Sequence, residues 1–222
     1  MKPYYEHDGI VIYHGDCLEV LPSVVADCFV TDPPYGINGG RGGQVSTRNK
    51  VYSGTWEDTP DYVETVCVYA VTEMVRRGYR GALTPGLRCA WKYPAPASMG
   101  CFWQPATVAY EPWGLSTFQP ILYYGRDARA GKGQSPTGWQ VTERASADGH
   151  PCAKPLQAWA RLVNKVAGSS TTVVLDPFVG AGTTLVVAKR QGHKAIGIEI
   201  DERYCEIAAK RLQQEVLPLE MA

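Results

Sequence analysis

No apolar run in the chain approaches the ~18 residues that cross a bilayer, and the opening Met1-Lys2-Pro3-Tyr4-Tyr5-Glu6-His7-Asp8 lacks the apolar centre of a secretory signal. These absences argue against a membrane protein and point to the cytoplasm. No repeat of fixed period occurs, which excludes solenoids, collagen and coiled coils. The cysteines, at 17, 28, 67, 89, 101, 152 and 205, are odd in number and never spaced C-x-x-C. In a chain of 222 residues this reads as reduced thiols rather than a disulfide framework.

What is present suits a globular protein: 45% hydrophobic and 20% charged residues, with 23 glycines and 16 prolines supplying loops and tight turns. The length fits one domain over residues 1–222. His150-Pro151-Cys152 holds only a fragment of the zinc-deaminase signature, without H-x-E or P-C-x-x-C, so no metal is expected. Formal net charge is zero, yet Arg76 to Lys132 carries eight basic residues against Glu111 and Asp127. One-sided charge of this kind suits a nucleic-acid face, although a solvated face looks the same on charge alone.

Gly9–Tyr13 and Asp27–Thr31 read as strands, with a short helix from Cys17 stopped at Pro22 between them. Residues 37–56 lack periodicity and read as a loop. Asp61–Arg77 has helical spacing in Val63, Val66, Cys67, Ala70 and Met74, closed by Gly78. Gly81–Leu83, Thr107–Tyr110 and Gln119–Tyr124 read as strands, and 127–149 as loop. The last third alternates helix (Lys154–Val166), strand (Val173–Leu175), helix (Thr183–Gln191), strand (Ala195–Ile200) and a helix from Asp201, which is a parallel α/β unit.

Two motifs carry chemistry. Asp176-Pro177-Phe178-Val179-Gly180-Ala181-Gly182-Thr183-Thr184 joins a strand to a helix, where glycines let a ligand approach the backbone and the helix start favours negative charge. Glu199 ends the next strand, where an acid accepts the ribose hydroxyls of an adenosine-containing cofactor. NAD is one such cofactor, but Leu185 stands where its third glycine would fall. Asp32-Pro33-Pro34-Tyr35 follows a strand and gathers a carboxylate, a rigid carbonyl and an aromatic face, which match the two N–H donors and the flat ring of a nucleobase amine.

Together these motifs resemble the amino-DNA methyltransferases, and their order resembles the β group of that family. The resemblance implies a Rossmann-like, doubly wound, mostly parallel sheet with an antiparallel edge hairpin. It implies S-adenosylmethionine as cofactor, double-stranded DNA as partner, a monomer or homodimer, and a bacterial or phage-infected cell with restriction-modification as the setting. Asp32, Pro33, Pro34 and Tyr35 would be catalytic. Gly15-Asp16-Cys17 resembles the adenine-side segment, so Asp16 and Cys17 join Asp176, Pro177, Phe178, Gly180, Gly182, Thr183, Thr184 and Glu199 as cofactor residues. His150-Pro151-Cys152-Ala153-Lys154-Pro155 resembles His-Pro-x-x-Lys-Pro, which implies Lys154 beside the methionine moiety.

The reaction implied is methyl transfer to the amine of a flipped base, N6 of adenine first because Asp32 opens the motif. N4 of cytosine, an RNA or protein amide, and a non-catalytic DNA-binding relic are the alternatives. Longer β-group enzymes carry a recognition insert before the His-Pro-x-x-Lys-Pro element. Here only 127–149 stands in that place, which with 37–56 would form the DNA-facing region. Arg41, Arg48, Arg126, Arg129, Lys132 and Arg144 suit phosphate contacts, so a short or relaxed target site is expected. Trp56, Trp91, Trp103 and Trp113 are assigned to core packing.

Overall fold

The computed structural model describes residues 1–37, 58–104, 109–111, 114–131, 133, 135–142, 154–168 and 171–214. It opens with β1 (Tyr5–His7) and β2 (Ile10–His14), an antiparallel hairpin. Asp8 and Gly9 between them both take positive φ, 50° and 75°, the type I′ geometry that matches strand twist. Asp16 caps the short α1 (Cys17–Val20) by accepting from Leu18 N at 2.8 Å. Pro22 does not stop this helix outright but enters a 3-10 turn, Leu21–Ser23, before β3 (Cys28–Thr31).

Thr59 then caps α2 (Pro60–Tyr62), which continues through a π turn, Val63–Cys67, into α3 (Val68–Arg76). The sheet strands that follow are β4 (Arg80–Leu83) and β5 (Ser98–Trp103). β6 (Ala109–Glu111) and β7 (Gly114–Ser116) pair only with each other. β8 (Phe118–Tyr124) and β9 (Trp139–Gln140) rejoin the sheet, the latter inside the stretch read as loop. The last third follows as α4 (Leu156–Ala167), β10 (Val173–Asp176), α5 (Thr183–Arg190), β11 (Lys194–Glu199) and α6 (Glu202–Gln213).

The main sheet has nine strands in the order β1-β2-β11-β10-β3-β4-β8-β5-β9. The five from β2 to β4 are mutually parallel. β1 at one end, and β8 between β4 and β5, run antiparallel to their neighbours. The expected edge hairpin is therefore β1–β2, and the strand near residue 110 belongs to the separate β6–β7 pair. Pro120 sits inside β8 without cost because β8 meets β4 only from Leu122 to Tyr124, leaving Pro120 paired on the β5 side alone.

Helices cover both faces. Trp159, Leu162, Leu185, Ala208 and Leu212 from α4, α5 and α6 pack with Ile10, Ile12 and Val30 on one side. Val20, Val71 and Met74 from α1 and α3 pack with Phe29, Leu83 and Leu175 on the other. From β10 the chain steps through α5 to β11, whereas from β3 it steps the opposite way to β4. β10 and β3 are neighbours, so the crevice between their carboxyl ends is the topological switch point, where open α/β sheets bind ligands.

Candidate active site

Five adjacent parallel strands deliver polar groups to one edge. Read across the sheet they are Asp16 after β2, Glu199 ending β11, Asp176 ending β10, Asp32 after β3 and Thr84 after β4. Gly15 N donates to Glu199 O at 2.9 Å and Thr84 N to Thr31 O at 3.2 Å, so the strand neighbours stay in step just past their ends.

At the switch point Asp176 is buried, and it serves the scaffold. Its carboxylate accepts from Thr31 Oγ1 and Thr184 Oγ1, both at 2.6 Å, and from Phe178 N at 3.1 Å. Trp159 Nε1 donates to Thr184 Oγ1 at 2.9 Å, extending the chain to α4. Burial raises the carboxyl to about 6 against the pull of these donors.

On the β11 side Glu199 Oε2 accepts from Gly180 N at 2.8 Å and Oε1 from Asp201 N at 2.9 Å. One carboxylate thus fixes the glycine turn and the start of α6. Burial lifts Glu199 to about 7. Gly180 and Gly182 have φ of 50° and 82°, and a Cβ on Gly182 would stand 2.8 Å from Ala208 Cβ. Gly182 is the N-cap of α5 and no side chain caps the helix there, so its first amides are left as donors. Tyr62 borders the same place: burial, then Cys67, Cys17, Asp16 and Glu199, raise its phenol. These groups fit an adenosine with an anionic tail, since carboxylates accept ribose hydroxyls and uncapped amides donate to a carboxylate.

On the β3 side Asp32 is gripped at both oxygens. Oδ1 accepts from Tyr35 Oη at 2.6 Å and from Thr84 Oγ1. Oδ2 pairs with Lys154 Nζ at 2.7 Å. Tyr35 Oη accepts in turn from Gln119 Nε2 and from Lys154 Nζ at 3.2 Å. Burial, then the charge of Asp32, raises the Tyr35 phenol, so it stays a donor. Its ring lies on Gly86, where a Cβ would come within 2.7 Å of Cγ. Asp58 Oδ1 accepts from Gly36 N at 2.6 Å, and Cys89 Sγ donates to Tyr35 O at 3.1 Å, fastening the loop from both sides.

The structure thus brings Asp32, Tyr35 and Lys154 together, and Glu199 with Gly180. Lys154 stands on the Asp32 carboxylate, a position the resemblance did not imply. Thr183 Oγ1 accepts from Arg211 Nη1 at 3.3 Å, whereas the Thr184 hydroxyl donates to Asp176 and is committed to the scaffold. Cys17 packs into the core, and burial raises its thiol to about 12. Arg126 and Arg129 follow the end of β8, beside Gly81, at the opposite edge of the sheet from Asp32. Arg80 caps the end of α4 on that edge, bonding Val166 O at 2.7 Å. The basic stretch is therefore not one face around the site.

Trp91 is 82% and Trp103 43% exposed, so these two are not core residues. Arg41, Arg48, Trp56, Trp113, Lys132, Arg144 and 150–153 lie outside the described residues. Thr84, Gln119, Tyr62 and Trp159 join the site unannounced. Thr84 alone had a signal, as a polar residue ending a strand. Among the described residues no group of three or more His, Cys, Asp or Glu could hold a metal ion, and no helix is long and apolar enough to cross a membrane.

A family model described as DNA methylase matches residues 47–210, which include the glycine turn and Glu199. The chain is 29% identical to the type II methyltransferase M.ScaI of Streptomyces caespitosus, over 98% of this chain and 86% of that protein. It is 27% identical to the type II methyltransferase M2.DpnII of Streptococcus pneumoniae, over 96% and 93%. Among solved structures, the PvuII DNA methyltransferase (cytosine-N4-specific) has a TM-score of 0.66 at 16% identity, covering 97% of this chain and 90% of that one. The M1.HpyAVI–SAM complex has a TM-score of 0.61 at 16% identity, covering 90% and 98%. These two likenesses establish the fold as that of the class I methyltransferases. On the family match, the chain belongs to the DNA methylases of the N6-adenine and N4-cytosine type, the S-adenosylmethionine-dependent amino-DNA methyltransferases.

Proposed function

We propose that this chain, as one catalytic domain over residues 1–222, methylates N6 of adenine in double-stranded DNA at a short or relaxed target site. The observation that carries this reading is the pairing across the switch point: Asp32 after β3 stands one strand from the glycine turn after β10.

When bound, S-adenosylmethionine supplies an electrophilic sulfonium methyl. Glu199 and Asp16 would accept from its ribose and adenine side, and the start of α5 would receive its carboxylate. Asp32 and the Pro33 carbonyl take the two N–H groups of the base amine. This localises a lone pair otherwise spread into the ring and stabilises the positive charge that builds on nitrogen. Tyr35 stacks the base, which must leave the duplex to reach Asp32. Holding the amine in line with the methyl supplies much of the remaining acceleration. The sulfonium would become a neutral thioether as its methyl leaves, and the methylated nitrogen would pass its extra proton through the Asp32 carboxylate to solvent.

Mass spectrometry of nucleosides from DNA treated with the enzyme tests this. N6-methyladenine is the expected product. N4-methylcytosine alone would favour the second reading, which the likeness to a cytosine-N4-specific fold supports. No product in DNA would overturn both. Base-resolution mapping reads the target, and a strict site of six or more base pairs recognised by a monomer would contradict the relaxed-site reading, since each bidentate base contact discriminates by about 1–3 kcal/mol.

A further inference from the structure

Lys154 enters the site at the approach to α4, 119 residues after Tyr35. Its ammonium touches the Asp32–Tyr35 loop three ways: 2.7 Å from Asp32 Oδ2, 3.2 Å from Tyr35 Oη and 5.3 Å above the Tyr35 ring centre. Both members of the ion pair are largely shielded, with side-chain exposures of 16% and 21%. The two carboxylate oxygens are therefore not equivalent. Oδ1 takes hydroxyl donors, from Tyr35 and Thr84, and Oδ2 takes the cation.

A neutral hydroxyl yields to an incoming amine more readily than a shielded ammonium does, because only the second exchange separates charges. The oxygen open to exchange with the base amine is thus Oδ1, whose present donors are the hydroxyls of Tyr35 and Thr84. From this geometry we propose that Lys154 is a positioning residue for methyl transfer: it pins Oδ2 so that Asp32 presents Oδ1 in one orientation to the amine. The proposal rests on the amine-methylating reading of the site and assigns Lys154 to the base half rather than the cofactor half.

The cation slightly opposes the positive charge that develops on the amine, so its benefit lies in orienting the carboxylate. Among the described residues, Lys154 and the buried Asp176 at the end of β10 are the charged groups that face Asp32.

The experiment compares wild type, Lys154→Met and Lys154→Arg in two assays, S-adenosylmethionine binding by calorimetry and separate kcat and KM values on DNA. Lys154→Met should bind the cofactor within about threefold of wild type and lose tenfold or more in kcat with KM for DNA nearly unchanged. Lys154→Arg should restore part of kcat. An equal loss in both variants, or a loss in KM alone, would reduce Lys154 to a packing role. A tenfold weaker cofactor affinity would assign it to the cofactor and overturn the proposal. The calorimetric arm decides that point even if wild type methylates no DNA, a result that would count against the amine-methylating reading instead.

Discussion

Thr184 Oγ1 donates to Asp176 Oδ2 at 2.6 Å across the eight residues of the glycine turn. The bond staples the first turn of α5 to the end of β10 and supplies one of two hydroxyls that keep a buried carboxylate solvated. Thr184→Val keeps the shape and removes the hydroxyl. Asp176 and the Trp159 indole each lose a partner, so stability should fall by about 1–3 kcal/mol. Urea denaturation measures it, and an unchanged midpoint would contradict the staple.

Asp32→Ala should lower kcat about 10²–10³-fold, the usual effect of losing a transition-state acceptor. Cofactor affinity should stay nearly constant, because Asp32 stands on the β3 side of the switch point. Retention of more than about a tenth of the wild-type rate would remove Asp32 from the role given to it.

Cofactor binding should depend on pH through Glu199. Burial holds its carboxyl at about 7, above the 4.5 of the exposed group. Between these values the folded protein keeps a proton that the unfolded chain has lost. Its contribution to stability is therefore full below the lower value and declines as pH rises to the upper one. Ribose hydroxyls need the ionised form, so affinity should climb as pH rises through about 7 and then level, with a proton released on binding. Calorimetry near pH 6.5 in buffers of different ionisation heat detects that proton; identical heats would exclude it.

Gly182→Ala places a side chain at φ 82° and within 2.8 Å of Ala208 on α6. The loss should be about 2 kcal/mol or more, from the left-handed backbone and the overpacking together. Gly192→Ala is the control: its φ is 76° with nothing within 4 Å, so it should lose about 1 kcal/mol, the backbone cost alone. Equal melting temperatures in the two variants would show that the α5–α6 contact yields freely.

The parallel unit of the last third was legible because apolar strands, helical spacing and glycine stops agree there. β1 was not read as a strand, since Tyr5–His7 has no apolar run; its signal lies in the turn that follows, where Asp8-Gly9 takes type I′ geometry. β5 was not, since Gly100 and the exposed Met99 and Trp103 give it no alternation; its pairing with β8 makes it a strand. Asp32, Tyr35, Gly180 and Glu199 announced themselves by spacing. The Lys154–Asp32 pair and the Gln119 donor did not, because each joins residues more than eighty positions apart and depends on how β8 and α4 dock. The charge excess over Arg76–Lys132 misled in the opposite way: neighbours in sequence are sent to both ends of short strands.

Thr31 and Asp176 meet across 145 residues of chain, and the β10–β3 seam they bridge is where the two half-sites face each other. Neighbouring strands are held about 4.8 Å apart by their hydrogen bonds. In the proposed reaction the spacing of the two half-sites is thus set by backbone pairing. Stretches of the joining chain outside Asp32–Tyr35, Thr84, Gln119 and Lys154 can lengthen, shorten or be exchanged without moving that spacing. A fold with such a seam can change the DNA sequence it reads while its chemistry stays fixed, and the two halves made as separate chains should reconstitute the site wherever β3 and β10 can still pair.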